Sequence, residues 1–306
     1  MDSSYTRVDD LWFPDGSLVI RAQDKGFRIF GSLLAIMMQS RVFRDILALP
    51  QASQGGIGET IDNTPSVFID DPAIDVEVFL RAICNSSYFR PAPARVDPHA
   101  LLGILRLSHK YDVRYLHQRA LGHLECHFYF PPLDDYCAAD DESDSNTWVP
   151  VIKAARDVGA TWLLPCVYYR LASVYKPDML LSDTDTDNLL RVHKGRTLLV
   201  REFTLNVAFL LAPLSGCTLV ACTEARIGSL DVCVQWMLAD FDVDPLGTRT
   251  LFDDSVKEFC PSCLCHAKDM LTENLRETWE KLPEIFGLPA WDDLKALRNK
   301  IMSEEE

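Results

Sequence analysis

Two cysteine pairs carry the strongest chemical signal in this 306-residue chain: Cys217-x4-Cys222 and, after a gap of 37 residues, Cys260-Pro261-Ser262-Cys263. Zinc takes four soft donors in a tetrahedron, and a Cys-x-x-Cys turn offers two thiolates to a single ion. The second pair fits that geometry and the x4 spacer of the first is looser. Cys265 and His266 stand beside them as spare donors. Three readings stay open: structural zinc on Cys217, Cys222, Cys260 and Cys263, four unliganded thiols, or a redox pair. For the last, Cys-Pro-x-Cys ahead of a helix would lower a thiol pKa, but the βαβ setting such a motif requires is missing from the surrounding sequence.

The remaining candidates are weaker. His123 and His127 share a helical face, but Leu124 occupies the place where a His-Glu-x-x-His metalloprotease needs its glutamate. Asp183-Thr184-Asp185-Thr186-Asp187 opens like a calcium loop, yet Asn188 replaces the glycine and Lys194 the final glutamate. Gly55-Gly56-Ile57-Gly58 lacks the Lys-Ser/Thr of a phosphate loop. No Gly-x-Ser-x-Gly occurs, and the acids are too dispersed to nominate a carboxylate pair. The expectation is a protein without a catalytic site; an enzyme hidden in the helical half is a second alternative.

Charge narrows the partners. Lys and Arg number 30 against 45 Asp and Glu, for a net charge of −15. The excess is lopsided: residues 1–130 hold 13 basic and 15 acidic side chains, residues 131–306 hold 17 and 30. Nucleic-acid binding needs clustered cations to displace counterions, so neither nucleic acid nor an anionic membrane is expected as a partner. Phe203–Cys222 has no formal charge, but Pro213-Leu214-Ser215-Gly216 is a turn signal inside it, favouring two core helices over a membrane span. Met1–Asp15 has no basic segment followed by an apolar one and does not read as a signal peptide. An intracellular, reducing compartment is expected, cytoplasmic or nuclear, with the 10 cysteines as thiols or metal ligands.

Elements that could position these residues follow from periodicity. Leu18-Val19-Ile20 and Phe27–Phe30 read as a hairpin turning at Gln23–Gly26, and Ser32 as the cap of a helix from Leu33 to about Gln39. A helix over Val42–Leu49 ends at Pro50, Gln51–Pro65 reads as a loop, and Ser66–Ile69 as a strand. Helices follow over Asp75–Cys84, Pro98–Lys110 and Val113 to about Phe128, and Pro131-Pro132 closes the first unit. Asp134–Asn146, with six acids, reads as a solvated linker. Beyond it the pattern is helical near 150–158, 161–175, 184–211, 222–240, 255–259, 264–282 and 290–302. The expected fold class is α+β, with a domain at 8–130, an acidic linker at 131–147 and an all-α region at 148–306.

Phe27-Arg28-Ile29-x-x-Ser32-Leu33-Leu34-Ala35, Ser40-Arg41-Val42-Phe43-Arg44-Asp45 and Leu105–Leu116, which contains Lys110-Tyr111-x-Val113, resemble a BTB/POZ domain. Nearly the whole chain resembles the large BTB family of mushroom-forming basidiomycete fungi, with the specific likeness confined to the stretches quoted. There the module is followed by a helical region ending in a phrase like Trp279-x-x-Leu282-Pro283-x-x-Phe286-Gly287-Leu288-Pro289-x-Trp291. The resemblance implies a BTB fold, a small sheet capped by helices, and a role in protein–protein interaction without catalysis. It implies a homodimer and either substrate coupling to a cullin-RING ubiquitin ligase or recruitment of transcriptional corepressors. Phe30-Gly31 stands where the family usually has His followed by Arg or Lys, which removes a basic residue from the corepressor groove. The joint through Ile36–Gln39 is also longer than usual.

A partner surface is expected on physical grounds as well. Leu11-Trp12-Phe13 precedes the hairpin of a small domain, and a large apolar side chain left in water forgoes roughly 1.5–3 kcal/mol. With Leu33, Leu34, Val42 and Phe43 from the first helices, these residues make up the expected dimer or partner interface. The alternative is that Leu11, Trp12 and Phe13 pack on their own chain.

Overall fold

A computed structural model of the chain describes residues 5–33, 40–48, 60–128, 148–173, 186–208, 217–239, 243–247, 256 and 258–304. The fold is α+β: a five-stranded sheet in the N-terminal part, then helices. Two compact units result, Met1–Cys126 with Arg156–Ala160 and Ile301–Glu306, and His127–Ala155 with Thr161–Lys300.

In the first unit β1 (Thr6–Trp12), β2 (Leu18–Ala22) and β3 (Lys25–Ile29) precede α1 (Arg41–Ala48), and β4 (Thr60–Ile61) and β5 (Thr64–Phe68) follow it. The sheet order is β1-β3-β2-β5-β4, with β2 antiparallel to β3 and parallel to β5. The central strand β2 buries Leu18, Val19, Ile20 and Ala22 together, as a strand covered on both faces must. Its hairpin to β3 turns on two residues, Gln23 at φ 50 and Asp24, and Ala22 pairs with Lys25. The turn is therefore shorter than the expected Gln23–Gly26. Gly26 belongs to β3, where the Tyr5 ring fills the space a Cβ would need.

Two strands depart from the sequence reading. β1 runs parallel to β3 with an irregularity between Arg7 and Trp12, and Asp9 and Asp10 mask its alternation. The expected Gln51–Pro65 loop ends in a hairpin, Thr60 pairing with Pro65 and Ile61 with Thr64. Asp62 and Asn63, at φ 49 and 58, supply the two left-handed residues of a tight primed turn. Residues 51–59, with the Gly55–Gly58 motif, lie outside the described residues, as does the expected helix from residue 34 to Gln39.

Helices α2 (Ala73–Cys84), α3 (Pro98–Lys110) and α4 (Arg114–Phe128) follow. α2 buries Val76, Phe79, Leu80 and Ile83 along one stripe. Asp97 caps α3, its carboxylate accepting from the Ala100 amide at 2.8 Å, with Pro98 at the first helical position. Arg106 pairs with the buried Asp75 at 2.7 Å and so ties α3 to α2. The Lys110-Tyr111 pair closes on Asp71: Lys110 Nζ lies 2.6 Å and the Tyr111 hydroxyl 2.5 Å from its carboxylate. Ser40 donates to the Tyr111 carbonyl at 2.5 Å, and Phe43 stacks on the Tyr111 ring at 4.7 Å.

Every described element of the second unit is a helix: α5 (Trp148–Asp157), a 3₁₀ turn (Thr161–Leu163), α6 (Leu164–Ser173), α7 (Thr186–Ala208), α8 (Val220–Ala239), α9 (Pro261–Ile285) and α10 (Trp291–Glu304). Arg156 and Asp157 of α5 and the last turn of α10 group with the first unit. α6 is buried at all ten positions and is the core helix. Tyr168 donates from its hydroxyl to Asn188 of α7 at 2.6 Å, and its ring stacks on Phe286 at 5.5 Å. α9 ends at Gly287, φ +62, where the Leu288 amide returns to the Pro283 carbonyl at 2.8 Å. Trp279 and Trp291 stack at 4.9 Å, and the Trp291 indole donates to the Trp279 carbonyl at 2.8 Å. The C-terminal phrase of the sequence is thus a packing device between α9 and α10.

Of the uncharged stretch Phe203–Cys222, residues 203–208 end α7, Cys217–Leu219 lie outside any helix and residues 220–222 open α8; the rest is outside the described residues. Among the described residues no helix is long and apolar enough to cross a membrane. The acidic stretch Asp134–Asn146, the Pro213–Gly216 turn and Asp183–Asp185 lie outside the described residues.

Candidate metal centre

Four cysteine sulfurs, those of Cys217, Cys222, Cys260 and Cys263, lie within 4.8 Å of one another in the second unit. Local sequence explains how they converge. Val220 opens α8, which places Cys222 in its first turn and Cys217 just ahead of the helix. Cys260 caps α9, Pro261 takes the first helical position, and Cys263 follows in the first turn. The Cys260 amide then donates to the Cys222 sulfur at 3.2 Å, locking one pair onto the other.

Electrostatics at the two helix starts is divided. Cys260 is lowered to about 7. The Cys263 amide and the Cys263, Cys222 and Cys217 thiols favour its thiolate, although that amide does not form a regular cap hydrogen bond. A helix N-terminus stabilises such an anion. Cys263 is pushed up to about 12, first by complete burial and then by the Cys217 thiol, while Arg226 pulls the other way. At Cys222 the Cys260 amide favours the thiolate, but burial and the Cys260 and Cys217 thiols outweigh it and raise the pKa.

Such a cluster can hold a metal ion. A tetrahedral zinc with Zn–S near 2.3 Å sets its sulfurs about 3.8 Å apart, so the four need only draw together slightly. All four positions are protein sulfurs, the closed arrangement of structural sites; catalytic sites keep one position open. The described cysteines are free thiols. No strand precedes Cys260 among the described residues of this unit, so the Cys-Pro-x-Cys lacks the redox-motif context here as well. Cys265 is exposed, with its sulfur 3.8 Å from Asp269, and stands outside the cluster.

Sequence reasoning missed Arg226. It lies one turn beyond Cys222 on α8, is buried to 5% exposure, and sits over the Phe259 ring at 5.0 Å. An arginine at an i+4 position carries no metal signal of its own in the sequence. His123 has a structural role: its Nε2 lies 2.7 Å from the Arg90 carbonyl and its ring packs on Phe89. The His127 side chain lies outside the described residues.

The expected interface residues divide. Leu11 and Phe43 are already covered by their own chain, at 2% and 3% exposure. Trp12, Phe13, Leu33 and Val42 are half-buried, and Leu34 lies outside the described residues. Trp12 stacks with Tyr5 and carries Arg7 at 4.5 Å over its ring; Phe13 packs on Phe30. No family model, no curated protein and no solved structure matches this chain.

Proposed function

We propose that this chain is a non-catalytic protein–protein interaction protein, a BTB/POZ-type module joined to a helical region that zinc closes. The topology of the first unit carries the reading. The resemblance implies a strand hairpin, two helices, a strand, a helix and a helix pair. The hairpin β2–β3, α1 as the second of those two helices, strand β5 laid parallel to β2, helix α2 and the pair α3–α4 support it, and residues 34–39 of the first helix lie outside the described residues. The exposed Phe68 and Ile74, at 57% and 64%, add apolar surface suited to another polypeptide. In the helical region Cys217, Cys222, Cys260 and Cys263 hold one zinc ion as a fold-closing site.

Self-association through the first unit is the first consequence, and recruitment of a cullin scaffold the second. Light scattering on the full chain tests the first. A mass of twice 34.6 kDa at micromolar concentration supports it, and 34.6 kDa under the same conditions rejects it. Binding to a purified cullin scaffold separates the ligase-adaptor role from corepressor recruitment.

A further inference from the structure

Four thiolates around a divalent ion carry two net negative charges, and half of this site is out of water: Cys222 and Cys263 are 2% and 0% exposed, while Cys217 and Cys260 are half-buried. Isolated charge in such surroundings is costly, and proteins meet it with a nearby counter-charge or with hydrogen-bond donors. Arg226 is a cation in the right place. Its residue is only 5% exposed, one helical turn from Cys222 on α8, with the guanidinium stacked on the ring of Phe259, the residue just before Cys260. The side chain therefore spans both halves of the site, anchored beside one pair on α8 and held by the approach to the other.

We infer that Arg226 is the positioning residue and counter-cation of the four-cysteine metal site, holding negative charge on the sulfurs while Phe259 fixes its guanidinium. This rests on the reading of the cluster as a zinc site. The arginine contributes no ligand atom. It partly neutralises the zinc–tetrathiolate, and its planar guanidinium is suited to stacking and donating at once.

Zinc affinity of the full chain, measured by competition with a chromophoric chelator, tests this with Arg226→Gln and Arg226→Lys. Outer-shell partners of a metal typically contribute 10–100-fold in affinity, and a loss of about that size is expected for R226Q, with R226K recovering part of it, since an ammonium keeps the charge but not the planar stack. Cobalt in place of zinc supplies a readout that packing alone would not move. Without the cation the sulfur-to-cobalt charge-transfer band shifts to lower energy in R226Q, while the ligand-field bands of a four-sulfur site stay in place; R226K moves the band part of the way back. R226Q binding zinc within about twofold of wild type, far inside the usual outer-shell range, overturns the inference. So does R226K proving as weak as R226Q. If R226Q does not fold, Phe259→Leu takes its place, since it frees the guanidinium and leaves all four sulfurs. The same loss and shift are expected, and their absence overturns the assignment. Wild-type protein that takes up neither metal defeats the zinc reading itself, a separate result.

Discussion

The backbone amide of Cys260 donates to the sulfur of Cys222 at 3.2 Å, joining two residues 38 positions apart. That bond sets the start of α9 against the start of α8, and there two cysteine pairs, each incomplete alone, form one cluster that could hold a metal ion. Structural zinc binding supplies roughly 10–16 kcal/mol, comparable with a domain's whole stability of about 5–15 kcal/mol.

Removing the metal should therefore loosen the helical unit. A strong chelator is expected to lower the thermal midpoint followed by far-ultraviolet circular dichroism and to reduce helicity. In Cys263→Ser the midpoint should already be low, with little further response to the chelator. A wild-type melting curve unchanged by chelation would speak against a structural metal.

Acid should weaken the first unit through His117. This histidine is 3% exposed, and burial first, then the neighbouring His109, lower its pKa from 6.5 to about 4. The unfolded chain binds the proton more readily, so the neutral histidine costs nothing above pH 6.5. Stability is lost as pH falls from 6.5 towards 4, by about 3 kcal/mol at most. Urea unfolding at pH 7.5 and pH 4.5 measures it: the drop in wild type should exceed the drop in His117→Gln by an amount of this order.

Tyr111→Phe should destabilise the first unit by about 1–3 kcal/mol, because the lost hydroxyl is a donor to a charged, buried partner, Asp71. Lys110 still pairs with that carboxylate, so the variant should fold. Denaturant midpoints at neutral pH give the number.

Two glycines in helices should respond with opposite signs. At Gly195 on α7 a Cβ would collide with the buried ring of Phe286. Overpacking of about 1–3 kcal/mol is expected to outweigh the helix gain of about 1 kcal/mol from Gly195→Ala. At Gly228 on α8 a Cβ would meet nothing within 4 Å, so Gly228→Ala should stabilise by up to about 1 kcal/mol. Thermal melting of both variants beside wild type tests the contrast.

Helices were the legible part of this fold because apolar spacing declares them. Pro98–Lys110 matches the sequence reading at both ends, where Asp97, Pro98 and the turn at Tyr111 punctuate it. Strands were less legible. β1 buries only Leu11 and carries two aspartates, and β4 has two residues, too few for a period. All four cysteines could be nominated from spacing, since Cys-x-x-Cys at a helix start constrains its own geometry. Arg226 could not, because its burial and its place over Phe259 depend on tertiary packing between α8 and the approach to α9. The outward reading of Leu11 and Phe43 met the same limit: an apolar side chain ahead of a hairpin or in a short helix does not declare which surface covers it.

Native mass spectrometry of the purified full chain tests the central claim most directly. The account predicts a species of two chains carrying one zinc ion each. A single chain without metal at the same micromolar concentration would contradict it.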